Sequence, residues 1–151
     1  GGNTMMLNRA AIRLAAAAAS EVVQVVMHDW WLYQIVTGAG GQVRFDARPQ
    51  LYYRQHGANQ IGANRGLIAK LHRLRALLRG DFRRWNGINL RALAASAHRL
   101  TPENRAMLQG FVDLRGLPFL GRIARFRRLG LYRQGQAGTA SLWLAVGLGR
   151  L

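Results

Sequence analysis

His28-Asp29-Trp30-Trp31-Leu32-Tyr33-Gln34-Ile35-Val36-Thr37-Gly38 is the stretch that governs how the chain is read. Trp31, Leu32, Ile35 and Val36 recur at helical spacing, which predicts a helix from Asp29 to about Thr37 with one buried stripe. Gly38, Gly40 and Gly41 supply its stop. At the head of this helix Asp29 serves either as an ordinary N-cap or as a reactive carboxylate. Trp31 belongs to the stripe and is assigned to the core, which leaves Trp30 free to stack on a ligand.

Upstream, the apolar run at residues 4 to 8 suits a short buried strand, and Asn8 is positioned to cap a helix beginning at Arg9. The alanine-rich residues 10 to 19 have high helix propensity, with Ile12, Leu14 and the alanines as a small-residue packing surface. Residues 21 to 27 are β-branched, and their period leaves a strand and an extended approach to the next helix both open. Downstream, residues 42 to 46 and 50 to 54 read as short strands around Ala47-Arg48-Pro49. If the second strand continues to His56, then Tyr52, Arg54 and His56 share a face, and Arg54 and His56 can address one ligand.

Beyond Ala63 the pattern is helical. Leu67, Ile68, Leu71, Leu74, Leu77 and Leu78 form an apolar stripe that Gly80-Asp81 interrupts, and Leu90, Leu93, Ala94, Ala97 and Leu100 form the next. Thr101-Pro102-Glu103 combines a hydroxyl cap, proline at the first helical position and an acid near the positive end of the helix dipole. A short basic helix over residues 120 to 129 and an apolar one over 141 to 148 complete the chain.

The 151 residues fit one ordinary domain, contain no Cys, and include no apolar run near the roughly 20 residues that cross a bilayer, so a soluble or peripheral protein is expected. Charge is unevenly distributed. Residues 1–62 hold five Arg against Glu21, Asp29 and Asp46, net +2, whereas residues 63–151 hold sixteen Arg and Lys70 against Asp81, Glu103 and Asp113, net +14. Such a surface attracts nucleic acid, anionic lipid or a diphosphate, and composition does not choose among them. His72 and His98, in Arg-rich helical surroundings without evident carboxylate partners, read as structural.

His28-Asp29-Trp30-Trp31, with Tyr53-Arg54-Gln55-His56-Gly57 and the opening Gly1-Gly2-Asn3-Thr4-Met5-Met6-Leu7-Asn8-Arg9, resembles the acceptor half of the family 2 glycosyltransferases, in particular their bacterial rhamnosyltransferase-like branch. The resemblance covers residues 1 to about 62. It implies an α/β architecture: an incomplete GT-A type fold, the acceptor-side portion, over residues 1–62, followed by a mostly helical, basic C-terminal extension over residues 63–151. It also implies an inverting transferase of cell-surface polysaccharide assembly, in which Asp29 is the general base. Trp30, His28, Gly2, Asn3, Arg54 and Gly57 would contact substrate, and His56 would approach the diphosphate or a divalent cation. The implied donor is a nucleotide-diphosphate sugar such as dTDP-rhamnose, and the acceptor a saccharide or lipid-linked saccharide. Mg²⁺ or Mn²⁺ is implied as well, although the Asp-x-Asp pair that would hold it is absent from this chain, and the stretch alone is expected to be inert. The expected location is the cytoplasm, with peripheral contact at the inner face of the plasma membrane, where Arg-rich helices bearing Trp85 and Trp143 could rest on anionic headgroups.

The alternative is a basic helical module that binds nucleic acid or anionic membrane without catalysis. Nucleic acid is the weaker partner, because the aromatic residues cluster in the nearly neutral first part, away from the arginines whose contacts base stacking would have to join.

Overall fold

The structure, a computed structural model, describes residues 4–48, 75, 79–133 and 135–151. Among these residues lie six α-helices: α1 Arg9–Ala19, α2 His28–Gly38, α3 Asp81–Ala95, α4 Pro102–Leu114, α5 Phe119–Leu129 and α6 Gln136–Gly147, with a 3-10 turn at Ala97–Arg99 between α3 and α4. Local chemistry accounts for three of the six starts. Asn8 Oδ1 accepts from Ala11 N at 2.9 Å, and Thr101 Oγ1 accepts from Asn104 N at 3.3 Å with Pro102 in the first turn. Gly80 enters α3 at φ +85°, a left-handed conformation that glycine adopts without steric cost.

The α/β, GT-A type architecture expected for the first part is overturned, for no strand occurs among the described residues. A strand persists only when its backbone N–H and C=O groups pair with a neighbour. Residues 42 to 46 have no such neighbour among the described residues: they run as irregular chain, with Val43 and Phe45 exposed. Residues 5 to 8 lead straight into α1, and residues 21 to 27 are held by side chains from α3 and the turn after it instead of by a ladder. The strand expected at residues 50 to 54 lies outside the described residues, as do His72 and the whole stripe from Leu67 to Leu78.

Two apolar cores result. The first joins Ala18 of α1, Trp31, Ile35 and Val36 of α2, Ala92 and Leu93 of α3, and Leu100. Its residues therefore come from both sides of position 62. Within α1, Ala15 and Ala18 are buried and Leu14 packs on this core, but Ile12 is exposed. The second core joins Leu114 of α4, Phe126 of α5, Ala145 and Val146 of α6, and Leu151, with the Trp143 ring edge-on to Phe126 at 4.6 Å between centroids. Helix α3 reaches both, since Phe82 near its start packs on the second core. At the α4/α5 crossing Gly110 allows close approach: a methyl group there would stand 2.9 Å from Leu129 Cδ2.

Several backbone carbonyls, among them those that end α2 and α6, accept hydrogen bonds from other elements. Thr101 N and Asn104 Nδ2 donate to Gly38 O at 2.9 and 3.1 Å, joining the end of α2 to the start of α4. Arg122 donates to Val146 O, Gly147 O and Leu117 O at 3.0, 2.9 and 3.1 Å. Arg115 donates to Leu151 O at 3.0 Å and Arg83 O at 2.9 Å. Part of the arginine excess is therefore internal scaffolding.

Candidate functional site

The segment between α1 and α2 presents the candidate site, and two contacts from distant sequence hold it. Asn89, buried on α3, accepts from Val26 N through Oδ1 at 2.8 Å and donates from Nδ2 to Val26 O at 3.3 Å. One amide thus satisfies both backbone groups of the residue that precedes the turn into α2. At the other end of the segment Glu21 accepts from Ser96 Oγ at 2.6 Å and from the Arg99 guanidinium, with Nε at 3.0 Å. His98 Nε2 lies 3.3 Å from the same carboxylate, so His98 has an acidic partner that the sequence reading missed. The hydrogen bonds from Arg99 and then Ser96 hold the Glu21 carboxyl down to about 2, against the opposing effect of burial.

Immediately after the Val26 anchor Met27 adopts φ +60°, a conformation that a non-glycine residue takes only under constraint from its surroundings. The turn aims the start of α2. Met27 occupies the N-cap position and provides no side-chain cap, so Asp29 is not the N-cap but lies within the first turn. Its carboxylate is partly exposed, and Oδ1 accepts from Trp30 N at 3.0 Å. His28 is exposed and Trp30 is 39% exposed, so both are available to a ligand. Trp31 is 6% exposed in the first core, and its indole N–H finds no acceptor among the described residues. Ring area therefore drives its burial.

A cleft of about 350 Å³ opens one turn along α2 from Asp29. Tyr33, four residues after Asp29 and so adjacent to it on the helix surface, begins its rim, which Gln34, Asn86 and Asn104 continue. Leu93, Met107 and Phe111 add apolar lining. A smaller cleft of about 210 Å³ lies between residues 21–24 and α3. His28, Asp29 and Trp30 line neither cleft. The structure brings these three together at one helix head, while Gly2, Asn3, Arg54, His56 and Gly57 lie outside the described residues. Among the described residues no group of three His, Cys, Asp or Glu side chains could hold a metal ion.

Sequence reasoning passed over Asn89 and Glu21. The available signal for Asn89 was an amide at the margin of an apolar stripe, next to Leu90 and four residues before Leu93. Glu21 offered none, because its partners are more than seventy positions away.

Comparison with known proteins adds one likeness. A stretch of 50 residues, 33% of this chain, is 40% identical to a dTDP-rhamnosyl transferase, RfbG, of Shigella flexneri, of which it covers 17%. No family model matches the chain, and no solved structure matches it. The likeness supports a relationship to glycosyltransferases, at the level of that stretch.

Proposed function

We propose that this chain supplies the acceptor side of an inverting, nucleotide-sugar-dependent glycosyltransferase, with Asp29 as the general base. The likeness to a dTDP-rhamnosyl transferase is the observation that carries this reading. The exposure of His28, Asp29 and Trp30 on one anchored helix head is consistent with it. In the reaction the acceptor hydroxyl oxygen attacks the anomeric carbon of the donor sugar while Asp29 takes its proton. The bond to the diphosphate oxygen breaks, the nucleoside diphosphate leaves with the electron pair, and configuration at carbon inverts. General-base assistance of this kind contributes about 10²- to 10⁴-fold in rate.

Trp30 would stack on a sugar ring and His28 would orient the carboxylate or the acceptor. The cleft that begins at Tyr33, lined by both amides and apolar side chains, offers a seat for a saccharide or lipid-linked saccharide. Gly2, Asn3, Arg54 and Gly57 are assigned to substrate, and His56 to the diphosphate or to Mg²⁺ or Mn²⁺. The proposed donor is dTDP-rhamnose, and the proposed setting is polysaccharide assembly at the cytoplasmic side of the membrane.

The test is transfer from dTDP-rhamnose by the intact protein. Asp29→Asn is expected to lower kcat by at least about 100-fold while donor affinity stays unchanged. Full activity in that variant would refute the assignment.

A further inference from the structure

The outer surface of the α5/α6 hairpin is apolar where a solvated helix would be polar. The buried side of α6 enters the second core through Ala145 and Val146, yet its exposed side carries Ala137, Ala140, Ser141, Leu144 and Leu148, without a charge. A helix that is apolar on both sides ordinarily has a partner on each. The start of α5 lies against the end of α6, with Phe119 Cε2 3.4 Å from where a methyl group on Gly147 would stand. Phe119, Leu120, Leu144 and Leu148 are 55, 77, 51 and 48% exposed, the first two at the start of α5 and the last two at the end of α6.

The charges on the hairpin have one sign. Residues 114–151 contain no Asp or Glu. Along α5 the exposed stripe continues from Leu120 through Ala124 to Arg127 and Arg128, and Arg133 follows in the connecting loop. None of these three arginines forms an ion pair among the described residues, the only ion pair on α5 there being that of Arg125 with Asp113.

We propose that this face docks on an anionic lipid bilayer, with Phe119, Leu120, Leu144 and Leu148 entering the headgroup boundary and Arg127, Arg128 and Arg133 meeting lipid phosphates. An apolar face bordered by unpaired arginines is the pattern of a helix lying in the membrane interface. No helix among the described residues is long and apolar enough to cross a membrane, so the contact is one of lying on the surface. A second copy of the chain fits poorly, because a surface without carboxylates would set its arginines against their own kind. Of the two tryptophans expected at such an interface, Trp143 packs edge-on against Phe126 and Trp85 against Phe82, so neither belongs to this face. The inference is independent of sugar transfer, and its test involves neither donor nor Asp29.

Partitioning of the full chain is measured on vesicles of phosphatidylcholine alone and on vesicles containing about one third phosphatidylglycerol, in about 0.1 M salt. The wild type is expected to bind the anionic vesicles and to bind the neutral ones at least about tenfold more weakly. Leu120→Gln/Leu144→Gln, which preserves net charge and alters only exposed positions, is expected to lower anionic binding about tenfold with an unchanged unfolding midpoint. Arg127→Gln/Arg128→Gln should lower it as well and reduce its salt dependence. Anionic binding that ignores the leucine substitutions would reduce the effect to unspecific attraction by net charge and overturn the proposal. Absence of vesicle binding would also overturn it, as would self-association in sedimentation that the leucine variant abolishes while vesicle binding is unaffected.

Discussion

Around Ile35 the helices are tied by a carboxylate and an amide, whereas around Phe126 they are tied by arginines that donate to backbone carbonyls. The first arrangement holds an irregular segment, residues 21–27, and through it the head of α2. The second closes a hairpin whose chain ends already lie together. An Arg-to-carbonyl bond keeps its charge at any pH the protein meets, while the Glu21 network depends on an ionised carboxylate. The Glu21 network that anchors the region proposed for chemistry is therefore sensitive to acid, while the Arg122 bonds to carbonyls in the region proposed for docking are not.

The largest test asks whether the two cores unfold as one. Phe126→Ala, at a position 1% exposed, is expected to cost about 3–5 kcal/mol, and Ile35→Ala, fully buried, about 2–5 kcal/mol, both measured by denaturant unfolding. Because α3 packs on the second core through Phe82 and on the first through Leu93, each substitution should lower a single common transition. Amide exchange that accelerates only within the substituted core would break that coupling.

Asn89→Ala sharpens the account of the first region. It leaves the Val26 N–H and C=O without their partner and is expected to cost about 1–3 kcal/mol. Exchange should rise at residues 26 to 30 while α5 and α6 stay protected, and transfer by the intact protein should fall although Asp29 is untouched. Unchanged exchange at the head of α2 would show that the amide does not position it.

The smallest effect is expected near neutral pH and emerges in acid. Glu21 titrates near 2 in the folded protein against an ordinary value of 4.5, so its contribution is complete above about 4.5 and is lost as pH falls toward 2. Thermal midpoints followed through that window should decline in the wild type and decline less in Glu21→Gln, which starts lower. The Arg122 bonds to carbonyls of α6 should not contribute to the slope. A variant with the wild-type pH profile would remove Glu21 as the acid-sensitive anchor.

Helix identity was largely written in local pattern. The Asn8 cap, the Thr101-Pro102 start, the Gly80 break and the spacing of Trp31, Ile35 and Val36 all act within a turn or two of their own position, and each is found where its residues place it. The last helix begins at Gln136, five residues before the expected 141, because Ala137 to Ala140 continue it without an apolar signal of their own. Strands were misjudged for the opposite reason. Val43 and Phe45 alternate as a strand would, but alternation says which faces differ and not whether a neighbouring backbone is there to pair. Of the candidate site, Asp29 and its neighbours were legible as residue types at a helix head, while the geometry that aims them was not.

The amino-acid sequence by itself determined where most helices begin and end, that Trp31 faces inward, and that positive charge gathers after residue 62, because caps, periodicity and ionisation are short-range properties. Tertiary structure alone decided that the segment before α2 is held by Asn89 and Glu21, that Arg115 and Arg122 serve as internal ties, and that one side of α6 is left without a protein partner among the described residues. Those outcomes depend on which groups meet across tens of residues, and that is set by packing two cores against shared helices.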